Sequence, residues 1–149
     1  MTPRLGDSGG PRLSPTVRAH LTDARDCLEE AAAARTSAAR YVAAHLAALR
    51  AAAAVLAARP RPMEGRRRRR LRSAWEMLPE AEPRLAEWAP YFETSAAKRA
   101  AAEAGLTRTV SSRDAEELIS EAERFVTAVE NLLGVPSQPM LPGQVPLAG

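Results

Sequence analysis

The sequence SAARYVAAHLAALRAAAAVLAAR, residues 37–59, is the most helix-prone stretch of the chain. Alanine has the highest intrinsic helix propensity, and neither proline nor glycine interrupts this run. Ser37 can cap the start of a helix, and Pro60 ends it because a residue before proline is disfavoured in the helical region. One face of this helix, with spacings of three and four residues, carries Tyr41, His45, Leu49, Ala52 and Leu56. Alanine covers much of the remaining surface, so we predict a central helix with neighbours on several sides.

The composition of the chain favours an all-α fold. Its 149 residues have the size of one domain. Apolar residues make up 46% of the chain but aromatic residues only 4%, whereas strands favour β-branched and aromatic side chains. The single cysteine, Cys27, cannot form an internal disulfide and is interpreted as an inert core residue. We find no signal-peptide pattern and expect no apolar run long enough to span a membrane, which predicts a cytoplasmic protein.

Positive charge is concentrated between Arg59 and Arg72, here named the Arg-rich segment. Its eight arginines against one glutamate give a charge of +7, and since the whole chain has +3, the remainder carries −4. The predicted nucleic-acid-binding residues are Arg59, Arg61, Arg66, Arg67, Arg68, Arg69, Arg70 and Arg72. Clustered guanidinium groups neutralise phosphates with little sequence preference. The alternatives are docking on an acidic protein partner, or a solvated segment with no specific role.

Four to five helices with short connections are predicted, packed as an antiparallel bundle. The first runs from Pro15 to about Ala34, with Ser14 as its cap. A third helix, capped by Ser73, is predicted to be broken at its prolines and to stop at Gly105. The last starts at Ser111 or Ser112 and has an unbroken apolar stripe: Ala115, Leu118, Ile119, Ala122, Phe125, Val126, Val129, Leu132 and Leu133.

The predicted domain organisation has three parts. Residues 1–13 form a disordered N-terminal tail, residues 14–134 form the bundle, and residues 135–149 form a disordered, proline-rich C-terminal tail. Within the bundle, residues 59–72 are predicted to be a mobile basic loop between the second and third helices, because like charges repel and prolines and a glycine disfavour regular structure.

The remaining side chains indicate structural roles. Four of the six aromatic residues, Trp75, Trp88, Tyr91 and Phe92, are interpreted as core, with a base-stacking platform as the alternative if they are exposed. Carboxylates such as Glu117 and Glu121 are spaced to pair with arginines on the same helix, and we interpret them as exposed surface. No cluster of metal ligands and no phosphate-binding glycine loop appears, so we expect no metal and no cofactor.

Several segments, taken in order, resemble a small actinobacterial subfamily of HEPN domains. They are RYVAAHLAALRAAAA (40–54), the arginine-rich connector, SAWE (73–76), LAEWA (85–89) and AEELISEAERFVTAVENLL (115–133). The resemblance covers nearly everything between Pro15 and Leu133. It implies a compact helical bundle that commonly forms homodimers and is often associated with nucleotides or RNA.

The resemblance also implies an enzymatic hypothesis. Many HEPN proteins are metal-independent endoribonucleases that use an arginine followed four to six residues later by a histidine, combined across a dimer. The candidate catalytic pair here is Arg40 and His45, with histidine as acid–base and arginine stabilising phosphate charge. The pair departs from the usual pattern because it lies in the second helix, with Tyr41 directly after the arginine. Five residues also turn a helix by about 140°, so the two side chains diverge within one protomer.

We therefore favour a binding or adaptor module over an enzyme. It would contact RNA, single-stranded DNA or a nucleic-acid-processing protein through the Arg-rich segment, and the resemblance suggests a role in DNA damage tolerance. The alternatives are the endoribonuclease, with Arg40 and His45 meeting across a homodimer, and a component of a toxin–antitoxin pair. The structural interpretation of His45 is a bundle-facing histidine hydrogen-bonded to a neighbour.

Overall fold

A computed structural model of the protein describes residues 13–59 and 72–136. These ranges contain only helices and their connections: α1 (Pro15–Ala33), α2 (Ser37–Ala58), α3 (Ala74–Ala81), α4 (Ala89–Glu103) and α5 (Ser112–Leu132). Short 3₁₀ helices, Pro83–Trp88 and Thr107–Thr109, precede α4 and α5. The predicted all-α bundle is confirmed. The disorder predicted for most of both tails, and the mobility predicted for most of the Arg-rich segment, concern residues outside the described ranges.

Helix α2 is the centre of the bundle. It packs against α1, α5, α4 and α3, and seven of its ten buried residues are alanine, which lets the neighbouring backbones come close. The predicted central helix is confirmed, with two differences. The capping residue is Thr36, not Ser37, because the Thr36 hydroxyl accepts a hydrogen bond from the Ala39 amide at 3.0 Å. Leu49 and Leu56 are only partly buried.

The expectation of no membrane-length apolar run is wrong for α2. This helix has 22 residues and an 18-residue window with a mean hydropathy of 1.6, enough by length and composition to cross a membrane. However, 56% of that window is buried inside the bundle. The core helix of a soluble protein has the same properties, since its apolar surface is covered by other helices rather than by lipid.

Helices α1 and α5 cover α2 with the faces that their periodicity predicts. In α1 the buried residues are Val17, Leu21, Ala24, Leu28 and Ala31. In α5 nearly the whole predicted stripe is buried, with Ile119 and Leu132 partly exposed. Ser14 and Ser111 cap the two helices, and Ser111 forms a reciprocal capping box with Asp114.

The middle of the chain is a broken helix, as predicted. Glu82 has an extended backbone (φ −147°, ψ 92°) and separates α3 from the 3₁₀ helix that begins at Pro83. Pro79 was expected at a joint but lies inside α3. Helix α4 ends before Gly105, whose φ of +98° suits glycine.

The aromatic residues form the core between α2, α3, α4 and α5. Trp75 and Phe92 are 3% and 0% exposed, and both contact Phe125 of α5. Trp88 and Tyr91 are partly buried against the same cluster. The core interpretation is confirmed, and the enclosed rings of Trp75 and Phe92 offer no face on which a base could stack.

Two carboxylates are buried, which corrects the interpretation of these groups as exposed surface. Glu130 is 3% exposed and lies under α1, where Arg25 donates to both of its oxygens at 3.0 and 2.7 Å. Arg25 also donates to Glu123 at 3.1 Å and to the Thr127 hydroxyl at 3.2 Å. Glu82 is 5% exposed and also binds arginines. A buried carboxylate is stable only with such partners.

Candidate functional site

The candidate catalytic residue His45 lies in the core. Its side chain is 0% exposed, and its Nδ1 atom is 2.8 Å from the Ser95 hydroxyl on α4. The Ser95 hydroxyl donates its single proton to the Phe92 carbonyl at 3.0 Å. His45 Nδ1 therefore carries a proton and donates it to Ser95. The imidazole edge meets the rings of Trp75 and Phe92, with centroids 5.9 and 6.4 Å away.

The environment of His45 favours its neutral form. Burial, and secondarily the positive charge of Arg99, lower the pKa of His45 from 6.5 to about 4. An acid–base catalyst works best when its pKa lies near the working pH and its nitrogen reaches the substrate. In this protomer His45 has neither property, because the surrounding side chains close it off from solvent.

Arg40, the other half of the candidate pair, lies on a different side of α2. It is partly buried, and its Nε donates to the Ala31 carbonyl of α1 at 3.4 Å. His45 instead points toward α3 and α4. The structure therefore does not bring the two side chains together within one protomer, as their angular separation on the helix predicts.

The buried His45 predicts a pH dependence of stability. Between pH 6.5 and about 4 the unfolded chain binds a proton at this residue that the folded chain does not, so stability falls as pH falls through that window. By this linkage, His45 alone removes about 2 kcal/mol between pH 7.5 and pH 5. Urea unfolding of the wild type and of His45→Gln across this range measures the effect. The variant is expected to have a shallower slope, whereas an unchanged slope contradicts the burial of a neutral imidazole.

The two terminal arginines of the Arg-rich segment contact one end of α3. Arg59, at the C-terminal end of α2, donates from Nε and Nη2 to Glu82 Oε1 at 3.2 and 3.1 Å. Arg72 forms an ion pair with Glu80 and reaches the Glu76 carbonyl at 3.4 Å. Glu80 and Glu82 are two residues apart at the C-terminal end of α3, so the arginines at both ends of the segment contact the same short part of the chain.

Glu82 accepts hydrogen bonds from two arginines, Arg59 and Arg84. It accepts from the Arg84 side chain at 2.9 Å and from the Arg84 amide at 3.2 Å, in addition to its bonds from Arg59. The hydrogen bond from the Arg84 side chain, which outweighs the opposing effect of burial, together with those from the Arg84 amide and Arg59, lowers the pKa of Glu82 from 4.5 to about 2. Sequence reasoning missed this residue. The available signal was a single acidic residue placed just before proline at a helix break.

The other predicted arginines, Arg61 and Arg66 to Arg70, lie outside the described residues. Within the described ranges, no three His, Cys, Asp or Glu side chains lie close enough to bind a metal ion together. Of the predicted site residues that the structure describes, His45 is enclosed and Arg40 points away from it. Carboxylates already bind the other two, Arg59 and Arg72.

Comparison with known proteins identifies the family of the chain. No curated protein and no solved structure matches it. The family described as SAV_6107-like HEPN matches residues 31–130, which is 100 of the 149 residues. The match extends from the end of α1 to the end of α5 and includes the central helix, the broken middle helix and the carboxylates that bind Arg59 and Arg72. The chain therefore belongs to the SAV_6107-like HEPN family.

Proposed function

We propose that this chain is a non-catalytic HEPN-type binding module that contacts single-stranded nucleic acid through its Arg-rich segment. The observation that supports this function best is the convergence of the two segment ends. Arg59 binds Glu82 and Arg72 binds Glu80, so the two residues that flank residues 60–71 both contact the end of α3.

The charge of this interval suits phosphate. Residues 60–71 contain six arginines and one glutamate, and each phosphate that they neutralise releases counterions. For a single strand, the logarithm of the binding constant then falls with the logarithm of salt by about 0.7 per phosphate. Such contacts bind RNA and DNA with little sequence preference.

The enclosed His45 favours binding over catalysis. Its nitrogens are shielded from solvent, its pKa is about 4, and Arg40 contacts a different helix. A composite ribonuclease site would require α4 to move away from His45 in both protomers. A homodimer, a protein partner and a role in DNA damage tolerance are further parts of the proposal that rest on the family resemblance. A cytoplasmic location is part of the proposal as well.

Replacing Arg66, Arg67, Arg68, Arg69 and Arg70 together with glutamine tests the proposal. Affinity for fluorescent single-stranded RNA and DNA in about 50 mM salt is expected to fall by about 100-fold or more, because five phosphate contacts are lost. The salt slope is expected to become shallower by about 3 to 4. The measurement is anisotropy across a salt series, with cleavage followed by gel electrophoresis on the same samples.

The matched control replaces five exposed arginines of the bundle with glutamine: Arg18, Arg50, Arg108, Arg113 and Arg124. The net charge changes by the same amount, but affinity is expected to change by less than about tenfold, since long-range attraction is screened by salt. Equal losses in both variants refute a defined site. Absence of binding by the wild type refutes nucleic-acid contact, and cleavage abolished by both Arg40→Ala and His45→Ala establishes a ribonuclease.

A further inference from the structure

One face of α2 is not covered by the other described helices. It runs along the N-terminal half of α2 through Ala38, Ala39, Val42 and Leu46, which are partly or fully exposed. Only 56% of the most apolar 18-residue window of this helix is buried. Because these four residues are spaced by one, four and eight positions from the first, they share one side of the helix over about two turns.

This face is the floor of a groove with a volume of about 390 Å³. Glu30 of α1 lines the groove on one side, and Ala102, near the end of α4, lines it on the other. Leu106 follows that second wall in the chain. Its amide donates to the Ala101 carbonyl at 2.9 Å, and the residue is 59% exposed. An apolar groove between two helices is a surface on which a further amphipathic helix can pack.

The floor of the groove favours large aliphatic side chains in its occupant. Three of its residues are alanine, at positions 38, 39 and 43, and the larger Val42 and Leu46 lie among them. Small residues beside larger ones form depressions that accept the side chains of a facing helix. Leucine or methionine side chains would fill these depressions, whereas small or polar side chains would leave part of the apolar surface without contacts.

The charge at the rim of the groove favours a basic occupant. Among the described residues that line the groove, Glu30 is the one with a charged side chain. It is exposed, as are Asp26 and Glu29 on the same helix, and residues 26–34 contain no basic residue. A lysine or arginine that lies beside Glu30 is attracted to it, and a carboxylate at the same place is repelled.

We propose that this groove binds a basic amphipathic helix of a partner protein, with large aliphatic side chains over the alanine floor and a lysine or arginine against Glu30. A second copy of this chain fits less well, because a two-fold axis at the groove would bring the two Glu30 carboxylates together. The inference does not depend on nucleic-acid binding. Arg59 is 13 residues beyond Leu46, which is about 20 Å along α2.

Three labelled model peptides of about five helical turns test this inference on the full chain. The first has leucines on one helical face and lysines elsewhere, the second has glutamates in place of the lysines, and the third has the composition of the first with its leucines scrambled. Fluorescence anisotropy in about 150 mM salt is expected to show binding of the first peptide. The other two are expected to bind at least about tenfold more weakly, because one loses the charge match and the other the apolar face.

Two substitutions in the groove, each with a matched control, locate the binding site. Ala39→Trp fills the groove from an exposed position and is expected to weaken binding of the first peptide about tenfold or more, whereas Ala97→Trp, at an exposed position of α4 outside the groove, leaves it unchanged. Glu30→Lys is expected to weaken binding about five- to tenfold. Glu29→Lys makes the same change of charge one residue away, outside the groove lining, and is expected to change affinity by less than about twofold.

Methyl resonances of the labelled full chain provide an independent readout. Those of Val42, Leu46 and Leu106 are expected to shift when the first peptide is added, and those of the buried Leu28 are expected to stay unchanged. Urea midpoints close to that of the wild type establish that the variants are folded. Absence of binding, equal affinity for the basic and acidic peptides, or binding that neither Ala39→Trp nor Glu30→Lys weakens overturns the proposal.

A competing occupant and the proposed nucleic-acid contact are distinguished by separate measurements. If the wild type self-associates in sedimentation experiments and Ala39→Trp abolishes this, the groove is an interface between copies of the chain, and the partner-helix proposal is overturned. Replacing Arg66 to Arg70 is expected to leave the affinity for the first peptide unchanged. A failure of nucleic-acid binding therefore refutes the proposed function alone, and a failure of peptide binding refutes this inference alone.

Discussion

Replacing Arg25 with alanine is expected to lower the free energy of unfolding by about 3–5 kcal/mol, a large part of the stability of a small domain. The side chain of Arg25 is 14% exposed and donates to both oxygens of Glu130, whose side chain is 3% exposed. Without Arg25, the carboxylate of Glu130 keeps its burial but loses both of these charge-assisted hydrogen bonds. The cost is therefore mainly that of a buried charge with too few partners.

Urea unfolding of the Arg25→Ala variant and of the wild type measures this loss of stability. The matched control for Arg25→Ala is Arg18→Ala, on the exposed face of the same helix. It removes the same side chain from α1 and is expected to change stability by less than about 0.5 kcal/mol. If Arg25→Ala costs no more than Arg18→Ala, the contact with Glu130 does not hold α1 on α5.

The apolar faces of α1 and α5 were predictable because helical periodicity is a local property of the sequence. Residues three and four apart in a helix share a face, independently of the sequence elsewhere in the chain. The interpretation of carboxylates as exposed surface was wrong at Glu130, although its spacing from Val126 and Leu133 is that of the buried face. Its partner Arg25 is 105 residues away, and no local pattern reports a contact at that distance.

The candidate site also has features that local helix geometry predicts and features that depend on distant residues. The angular separation of Arg40 and His45 follows from helix geometry alone. In the structure, Arg40 faces α1 and His45 faces α4. The interpretation of His45 as a bundle-facing histidine hydrogen-bonded to a neighbour is confirmed by its contact with Ser95. Which residues enclose it was not predictable, since Ser95, Trp75 and Phe92 lie far along the chain from it. Likewise, a run of arginines in the sequence indicates positive charge, but it does not indicate which of these arginines bind carboxylates in the fold.

The aromatic core provides the second large effect. Replacing Phe92 with alanine is expected to lower the free energy of unfolding by about 3–5 kcal/mol. Phe92 is 0% exposed, and its ring centroid lies 5.0 Å from that of Trp75 and 5.2 Å from that of Phe125. It also contacts Trp88 and Tyr91. One side chain of α4 thus contacts α3, the 3₁₀ helix and α5, so its loss leaves a cavity where these elements meet.

Leu106→Ala and Phe92→Leu are the matched controls for this effect. Leu106 is 59% exposed, so its truncation is expected to cost less than about 0.5 kcal/mol, whereas Phe92→Leu keeps most of the volume and is expected to cost about 1–2 kcal/mol. Urea unfolding gives the free energies, and near-ultraviolet circular dichroism reports the packing of the two tryptophans. Because the Phe92 carbonyl still accepts from Ser95 in the alanine variant, the hydrogen bond of His45 is retained and the loss measures packing. A cost below about 1 kcal/mol for Phe92→Ala, or a dichroism spectrum unchanged from the wild type, would show that the aromatic cluster does not hold the bundle together.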